Sequence, residues 1–466
     1  LASSEDQRAR FEAAGWHVQA VDGHDQESVL AAIEAAKEDD RPSMIACKTT
    51  IGFGAPKKAG TASSHGAPLG AEEIAGARQA LDWPHAPFEI PQDIQDAWRD
   101  AAEERGSASK IWQKKFDALD PQTKAEFERI HAKDLPAGLE VAIEHYIKTL
   151  IAEPQKVATR KASEMALNVI NTHLSETIGG SADLTGSNNT KTKDLGLLTA
   201  DDFSGRYIHY GIREFGMAAA MNGMALHGGV LPYGGTFLVF TDYARPAIRL
   251  SALMRQRVIY VMTHDSIGLG EDGPTHQPVE HVASLRAMPN VQVFRPADVV
   301  ETAECWALAL QSKDTPSVLA LTRQGLPQLR LNSRNDNTCA KGGYILSDCD
   351  GAPQAVLMAT GSEVHLAMNA QETLAGKGIK TRVVSMPCQE LFDAQDAEYR
   401  TSVLGNDGTL RIAVEAGVRQ GWDKYLGANG VFIGMDSFGL SAPAGDLFKH
   451  FGITADAIVE AVSTRI

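Results

Sequence analysis

An apolar run that ends in a glycine-rich polar loop most strongly constrains how this chain can fold. Residues 258–265 read VIYVMTHD, a short run rich in β-branched residues that is typical of a fully buried strand. The loop GLGEDGPTHQP, residues 268–278, follows it. Open α/β sheets bind their ligands at the carboxyl ends of their strands, so the loop is predicted to belong to a binding site.

A simpler interpretation of this loop is a tight glycine turn before a helix. Pro278 would then occupy the first helical position, and the acidic residues Glu271 and Asp272 would complement the positive end of the helix. The two nearby histidines, His264 and His276, favour a site, because they add bases to a backbone that glycine opens to a bound molecule.

Composition excludes several classes of protein. The chain has 466 residues, of which 43% are hydrophobic, and a formal charge of −15 from 44 basic and 59 acidic residues. No long charged block or apolar run of about 20 residues interrupts it, which favours a soluble cytoplasmic protein and argues against partnership with nucleic acid or a membrane. The five cysteines are odd in number and lack a Cys-x-x-Cys pair, so they are predicted to be reduced packing residues.

Sequence patterns divide the chain into four sections. Residues 1–70 alternate helix and strand, which predicts a βαβ unit with parallel strands. Residues 71–150 are predicted to form a long helical connector on the surface. Residues 151–330 and 340–466 each repeat strand and helix, and are predicted to be two further α/β domains, the second one smaller. The predicted fold class is therefore α/β, with parallel sheets flanked by helices.

A second dense segment, YIHYGIREFGM, leads from a short strand into a helix rich in alanine and methionine. Glu214 falls in the first turn of that helix, where a carboxylate complements the helix dipole. Because the helix is largely apolar, we expect poorly hydrated surroundings that favour a shared proton on Glu214.

Three aromatic side chains, Phe237, Phe240 and Tyr243, follow at spacings of three residues. This spacing places them on one face of a helix, where core packing is the ordinary role. The alternative is a flat pocket for a heteroaromatic ring.

Six segments in chain order together resemble transketolase, a thiamine-diphosphate enzyme of sugar-phosphate metabolism: SHGAPLG, ATRKAS, GGSADLTGSN, HYGIREFGM, GEDGPTHQPVEH and RVVSMP. Related thiamine enzymes share the fold, but are not expected to carry HYGIREFGM and GEDGPTHQP together. The resemblance implies a thiamine-diphosphate-binding fold and thiamine diphosphate as cofactor.

The resemblance implies specific roles at the cofactor. Glu214 matches the glutamate that hydrogen-bonds the aminopyrimidine ring and favours its imino tautomer. Phe240, with Phe237 and Tyr243, would form the ring pocket. Asp183, in GGSADL, would lie near the thiazolium ring, although a loop or cap aspartate explains it equally well.

It also implies a pocket for the substrate. Four residues match positions that hold the sugar phosphate: Arg160, Ser187, His264 and Arg323. Three others would contact the sugar hydroxyls and assist proton transfers: His65, Asp272 and His276. His65 would also contact the cofactor, and its alternative reading is an exposed loop residue. A guanidinium fork suits phosphate oxygens, whereas an isolated arginine is more often a solvated surface residue.

One departure concerns the metal. In transketolases a front portion supplies histidines and a Gly-Asp-Gly stretch followed by an asparagine, which hold Mg²⁺ or another divalent cation and the diphosphate. This sequence lacks such a stretch and begins at Leu1. We therefore expect most of the N-terminal diphosphate-binding domain to be lacking, and assign no metal ligands. The implied partners are sugar phosphates, a second copy in a homodimer with the active site at the interface, and a separate leading segment.

The sequence thus predicts transfer of a two-carbon ketol unit from a ketose phosphate, such as xylulose 5-phosphate, to an aldose phosphate, such as ribose 5-phosphate or erythrose 4-phosphate. Two alternatives stay open. One is a non-catalytic subunit or fragment that retains the fold, and the other is a transferase similar to dihydroxyacetone synthase. The activity of the chain alone is also left open.

Overall fold

The computed structural model describes residues 3–332 and 336–466, so the first two residues of the predicted section 1–70 lie outside the described residues. The chain divides into two compact units, of which the first ends at Ala118 and the second begins at Leu119. The predicted connector, residues 71–150, therefore contributes to both units. Within the described ranges, no helix combines the length and the apolar character that crossing a bilayer requires.

The first unit contains a two-stranded parallel sheet with helices, which confirms the predicted βαβ unit. The strands pair from His17 with Ser43 to Asp22 with Lys48, and every residue in them keeps some exposure to solvent. The elements are α1 (Gln7–Ala13), β1 (His17–Asp22), α2 (Gln26–Lys37), β2 (Ser43–Lys48), α3 (Ala71–Ala80) and α4 (Gln92–Asp117).

Two helices open the second unit, α5 (Pro121–His131) and α6 (Ala137–Ala152). The prediction that the whole connector lies on the surface is wrong for α6. Its side chains Leu139 and Leu150 are only 2% and 4% exposed. They belong to the core because one face of the helix carries aliphatic residues at helical spacing.

A six-stranded sheet forms the centre of the second unit. Its strand order is β5-β4-β6-β7-β9-β8, and every pairing is parallel. A separate antiparallel pair joins β3 to β10. The elements are β3 (Lys156–Ala158), α7 (Thr159–His173), β4 (Thr177–Ser181), α8 (Thr185–Asn188), β5 (Tyr207–His209), α9 (Glu214–His227), β6 (Leu231–Phe237), α10 (Thr241–Leu253), β7 (Ile259–Thr263), α11 (His281–Arg286), β8 (Gln292–Phe294), α12 (Val299–Gln311), β9 (Ser317–Leu321) and β10 (Gly325–Pro327).

Helices cover this sheet and bury its apolar strands. Trp306 of α12 is 1% exposed, and its indole Nε1 donates a hydrogen bond of 2.8 Å to Ser163 Oγ on α7. Strand β7 is buried along its whole length, as expected for a parallel strand with both faces covered.

A five-stranded sheet follows, with strand order β11-β13-β12-β14-β15. Its pairings are parallel except that β11 runs antiparallel to β13. The elements are β11 (Tyr344–Ser347), β12 (Ala355–Ala359), α13 (Val364–Gly376), β13 (Thr381–Ser385), α14 (Gln389–Asp393), α15 (Ala397–Leu404), β14 (Leu410–Val414), α16 (Asp423–Leu426), β15 (Val431–Ile433), α17 (Ala444–His450) and α18 (Ala455–Ser463). The molecule is therefore α/β, as predicted.

All five cysteines are free. Cys305, Cys339 and Cys388 are buried, as expected for packing residues, whereas Cys47 is exposed and Cys349 is partly exposed.

Candidate active site at the carboxyl edge of the parallel sheet

Most of the predicted site residues follow the carboxyl ends of strands in the six-stranded sheet. Because all of these strands are parallel, their carboxyl ends lie at one edge, where α/β sheets bind ligands. The residues that follow each strand are Asp183 and Ser187 after β4, Glu214 after β5, Phe237, Phe240 and Tyr243 at and after β6, His264, Asp272 and His276 after β7, and Arg323 after β9.

Arg160 reaches the same edge from the beginning of α7. Its main-chain N–H donates to Thr322 O at 3.4 Å. The main-chain N–H of the preceding residue, Thr159, donates a hydrogen bond to Thr322 Oγ1. The guanidinium Nη1 donates to Ser187 O at 2.8 Å. Two of the predicted phosphate-binding residues are therefore in direct contact.

Glu214 is the first residue of α9 and is 8% exposed. Met217 and Met221 lie on the same buried face of the helix, and their sulfur atoms pack against Gly234 of β6. Since a helix between two parallel strands runs opposite to them, its first turn lies at the carboxyl edge. The Glu214 carboxylate accepts no hydrogen bond from any of the described residues.

The three aromatic side chains form a row, but they do not share a helix as predicted. Phe237 ends β6, Phe240 ends a short 3-10 helix, and Tyr243 lies in the first turn of α10. The rings of Phe237 and Phe240 are stacked with centroids 5.7 Å apart, and those of Phe240 and Tyr243 are 5.9 Å apart. Phe237 is buried and Tyr243 is exposed, so the row extends from the core to the surface.

His264 lies under this row. Its ring centroid is 3.8 Å from that of Phe237, and its residue surface is 3% exposed. Burial and the charges of Arg160, Arg323 and His276 together lower the pKa of His264 to about 3. The ring is therefore neutral at physiological pH. We call Arg160, His264, His276 and Arg323 the basic cluster.

No carboxylate offsets the effect of these positive charges on the pKa of His264. Burial and the neighbouring Arg323 likewise lower the pKa of Arg160. The ring of His276 lies 5.6 Å from that of Phe240 and 6.1 Å from that of Phe237, which connects the cluster to the aromatic row. Two guanidinium groups beside a neutral imidazole form a binding place for an anion.

A chain of buried hydrogen bonds that the sequence reasoning missed orients His264. Ser181 Oγ donates to Asn188 Oδ1 at 2.8 Å, and Asn188 Nδ2 donates to Thr263 Oγ1 at 2.7 Å. Thr263 Oγ1 lies 2.9 Å from His264 Nδ1, which leaves Nε2 for other partners. The segment GGSADLTGSN contained Ser181 and Asn188, but no local pattern marked them as partners of a strand 75 residues away.

The glycine loop is shaped by its glycines and tied to the C-terminal section. Gly270 and Gly273 have φ angles of +91° and +81°, which other residues rarely adopt. Gln277 Nε2 donates to Gly270 O and to Leu440 O, both at 2.9 Å. Ser441 Oγ donates to Glu271 O at 2.5 Å. The loop is thereby fixed at both its beginning and its end.

The simpler reading of this loop is wrong in one respect. The helix α11 begins at His281, so Pro278 does not occupy a first helical position. Glu271 and Asp272 are exposed, which leaves the Asp272 carboxylate available to a ligand.

Two predicted site residues, Asp183 and His65, belong neither to the basic cluster nor to the aromatic row. Asp183 is an exposed loop residue with a φ angle of +59°. His65 belongs to the first unit, where it follows a short 3-10 helix and its main-chain N–H donates to Ala62 O at 3.0 Å. The roles that the resemblance implies for both residues stay predictions.

Directly beside the basic cluster is a set of paired charges. Arg295 is 1% exposed, and its guanidinium donates to Asp265 Oδ2 at 2.9 Å and to Glu363 Oε2. Arg286 donates two bonds of 2.8 Å to Glu415. We call these five residues the buried charge network. It joins the six-stranded sheet to the five-stranded one.

These side chains fit the cofactor that the resemblance implies. The aromatic row offers a ring surface that is exposed at Tyr243, which suits a flat heterocycle. The Glu214 carboxylate, without a donor among the described residues, is free to bind a proton on such a ring.

Family models match almost the whole chain. The model for "Transketolase, thiamine diphosphate binding domain" matches residues 1–136, that for "Transketolase, pyrimidine binding domain" matches 155–328, and that for "Transketolase-like TK C-terminal domain" matches 342–454. The first match crosses the predicted boundary at residue 70. It does not support the expectation that most of the diphosphate-binding domain is lacking.

Individual proteins agree with these matches. A transketolase of Cereibacter sphaeroides is 57% identical over 466 residues, which cover 100% of this chain and 70% of that protein. The solved transketolase from Leishmania mexicana is 42% identical with a TM-score of 0.91, covering 100% of this chain and 68% of the other. The transketolase of Pichia stipitis in complex with sedoheptulose 7-phosphate is 40% identical with a TM-score of 0.91, covering 99% and 69%.

Proposed function

The chain belongs to the transketolase family, whose members transfer ketol groups, and on this premise we propose that it moves a two-carbon ketol unit from a ketose phosphate to an aldose phosphate. The proposed donor is xylulose 5-phosphate, and the proposed acceptors are ribose 5-phosphate and erythrose 4-phosphate. The sugar phosphate bound to the Pichia stipitis relative supports this choice of substrate class.

One observation carries the proposal. The positive charges of Arg160, Arg323 and His276 all lower the pKa of the buried His264 ring. That ring lies against Phe237 of the aromatic row. Places for an anion and for a flat ring are therefore adjacent, as transfer between sugar phosphates on a heteroaromatic cofactor requires.

Thiamine diphosphate, when bound, supplies the nucleophilic carbon that ketol transfer requires. Phe240, with Phe237 and Tyr243, would hold its ring, and Asp183 would lie beside the thiazolium. The Glu214 carboxylate would hold a proton on the aminopyrimidine ring. Its burial next to an apolar helix keeps competing water away.

Arg160 and Arg323 would bind the phosphate of the sugar through their guanidinium N–H groups. The neutral His264 would add one hydrogen bond through Nε2, since Thr263 occupies its Nδ1 side. Ser187, whose carbonyl orients Arg160, completes this set.

The sugar hydroxyls are assigned to His276, Asp272 and His65. His276 is partly exposed beside Phe240, so it is able to exchange protons with a bound sugar and with solvent. Asp272 would accept hydrogen bonds from hydroxyl groups. His65 would contact both sugar and cofactor.

Three further properties belong to this proposal. A divalent cation such as Mg²⁺ would accompany the diphosphate, and no residue is assigned as its ligand. The active form would be a homodimer with the active site at the subunit interface, which sedimentation checks. The acidic charge balance supports a cytoplasmic location, which cell fractionation checks.

The Glu214→Gln variant tests the mechanism. The change keeps the side-chain shape but removes the group that holds the proton, so we expect ketol transfer to fall at least about a hundredfold. Turnover of xylulose 5-phosphate and ribose 5-phosphate is measured on the protein as isolated, with thiamine diphosphate and Mg²⁺ added.

Glu140→Gln is the matched control. Glu140 also lies in the first turn of a helix, α6, but on an exposed surface. Both variants lose about 0.3 to 1 kcal/mol of helix-dipole stabilisation, and only Glu214→Gln should lose turnover. Equal activity of the two variants would show that Glu214 is merely a helix-end residue.

The open alternatives give different results in the same assay. A non-catalytic subunit shows no thiamine-dependent turnover in the wild type, and then Glu214→Gln changes nothing. A transferase similar to dihydroxyacetone synthase differs in acceptor, so a panel of aldehydes and aldose phosphates separates it from the proposed enzyme.

A further inference from the structure

A histidine and two carboxylates come together outside the basic cluster and the aromatic row. Asp242 lies in the first turn of α10, Glu280 directly precedes α11, and His281 is the first residue of α11. One ligand atom from each residue lies within 4.8 Å of the other two. Nitrogen and carboxylate oxygen are a donor set that Zn²⁺ and similar divalent ions bind.

His281 is the unusual member of this group. It is 4% exposed, yet neither ring nitrogen has a hydrogen-bond partner among the residues that the structure describes. Buried polar atoms are ordinarily hydrogen-bonded. Both nitrogens nevertheless lie beside carboxylates, since Nε2 is 3.2 Å from Asp242 Oδ2 and Nδ1 is 3.8 Å from Glu280 Oε2.

The separation of Nε2 and Asp242 Oδ2 suits two ligands of one ion. Because the two ring nitrogens of an imidazole point apart, a single ion binds only one of them. Two ligands of a tetrahedral ion with bonds of about 2.0 to 2.1 Å are roughly 3.3 Å apart. The spacing of His281 Nε2 and Asp242 Oδ2 is 3.2 Å. The side chains of Asp242 and Glu280 are 63% and 53% exposed, which gives an ion and a completing water access from solvent.

We propose that Asp242, Glu280 and His281 form a binding site for a transition-metal dication of the Zn²⁺ type. Hard ions such as Mg²⁺ and Ca²⁺ prefer an all-oxygen set, so the imidazole selects against them. Asp242 directly precedes Tyr243 of the aromatic row, and Glu280 follows the loop that holds His276. A bound ion would join the beginning of α10 to the end of the glycine loop. This inference does not depend on the proposed reaction.

Zinc titration of the chelator-treated wild type and of His281→Gln, Asp242→Asn and Glu280→Gln tests the site. Binding is followed by calorimetry, and the shift of the thermal midpoint at fixed Zn²⁺ gives a second readout. We expect His281→Gln to lose one equivalent of Zn²⁺, and each carboxylate variant to bind it at least about tenfold more weakly. The midpoint should rise with Zn²⁺ in the wild type only.

His227→Gln, at an exposed histidine, is the matched control, and exposed cysteines contribute equally to every protein in the series. If all variants bind Zn²⁺ like the wild type and the control, the site is overturned. Loss in His281→Gln with both carboxylate variants unchanged also overturns the three-ligand assignment. Circular dichroism without metal confirms that each variant is folded.

Discussion

Two adjacent residues at the end of β7 have opposite electrostatic surroundings. His264 faces Arg160 and Arg323 and is held neutral by burial and their positive charges. Asp265, 2% exposed, faces the guanidinium of Arg295, which donates to its Oδ2 at 2.9 Å. One strand end therefore supports both a place with uncompensated positive charge and a place with paired charge.

This electrostatic difference indicates that the basic cluster serves ligand binding and the buried charge network serves stability. Charge without a partner lowers stability, and in the basic cluster the phosphate of the proposed substrate would supply the partner. The buried charge network already has its ion pairs within the chain, since Glu363 also accepts from Arg295, and Glu415 from Arg286. We expect changes in the network to affect folding and changes in the cluster to affect substrate binding.

Arg295→Met tests the buried charge network and has the largest expected effect on stability. The change leaves the carboxylates of Asp265 and Glu363 buried without a guanidinium. Removing one partner of a buried ion pair costs about 3 to 5 kcal/mol of the free energy of unfolding. Urea denaturation measures the loss.

Arg419→Met serves as the control, because its ion pair with Asp423 is exposed on both sides. Such pairs contribute about 0 to 1 kcal/mol. Equal losses in the two variants would contradict the role of the network. The triple variant Arg295→Met, Asp265→Asn, Glu363→Gln sharpens the test, because it removes the unpaired charges and should recover part of the loss.

Arg323→Gln probes the cluster side. Arg323 is exposed, so its removal should change the free energy of unfolding by no more than about 0.5 kcal/mol. Hydrogen bonds to charged groups contribute about 1.5 to 3 kcal/mol, so KM for xylulose 5-phosphate should rise roughly 10- to 150-fold.

The matched substrate for this test is the same ketose without its phosphate. Its KM should be the same for the wild type and Arg323→Gln, since no phosphate is present to bind. An equal rise for both substrates would place Arg323 elsewhere than at the phosphate.

The strands with continuous β-branched residues could be predicted from the sequence. The strand expected within residues 258–265 is observed as Ile259–Thr263, because its apolar run has no interruption. Strand β6 was missed, since LPYGGTF contains a proline and two glycines, which strands disfavour. Packing explains the glycines, as a Cβ on Gly234 would lie 2.8 Å from the sulfur of Met221.

Because the sequence does not predict β6, it places the aromatic row wrongly on a single helix. Phe237, Phe240 and Tyr243 meet because a strand, a 3-10 turn and a helix follow one another, and no single periodicity predicts that. Of the cluster residues, Arg160 and His276 lie in two of the segments that carry the resemblance, whereas His264 and Arg323 lie outside these segments and each follows a strand. The partners of Arg295 did not, because Asp265 and Glu363 lie 30 and 68 residues away in the chain.

The smallest expected effect is a pH dependence that separates the two regions. The pKa of His264 is about 3 in the folded protein, against an ordinary value of 6.5, so between these values the unfolded chain binds the additional proton. Stability from this residue is complete above pH 6.5 and is lost as the pH falls. Between pH 7 and pH 5.5 the loss amounts to about 1 kcal/mol.

Glu415 of the buried charge network does not share this window. Burial acts to raise the pKa of Glu415, but Arg286 lowers it to about 2, so its contribution is lost only below its ordinary value of 4.5. Glu301 of α12, which is not a member of the network, has the opposite sign. Burial raises its pKa to about 7, so its folded state gains stability as the pH falls from 7 to 4.5. The test measures the free energy of unfolding of the wild type and of His264→Gln at pH 7 and at pH 5.5, and compares how much each protein loses. Thr263→Val, which keeps the imidazole, should lose as much as the wild type. An equal loss in His264→Gln would show that the ring is not held neutral by its surroundings.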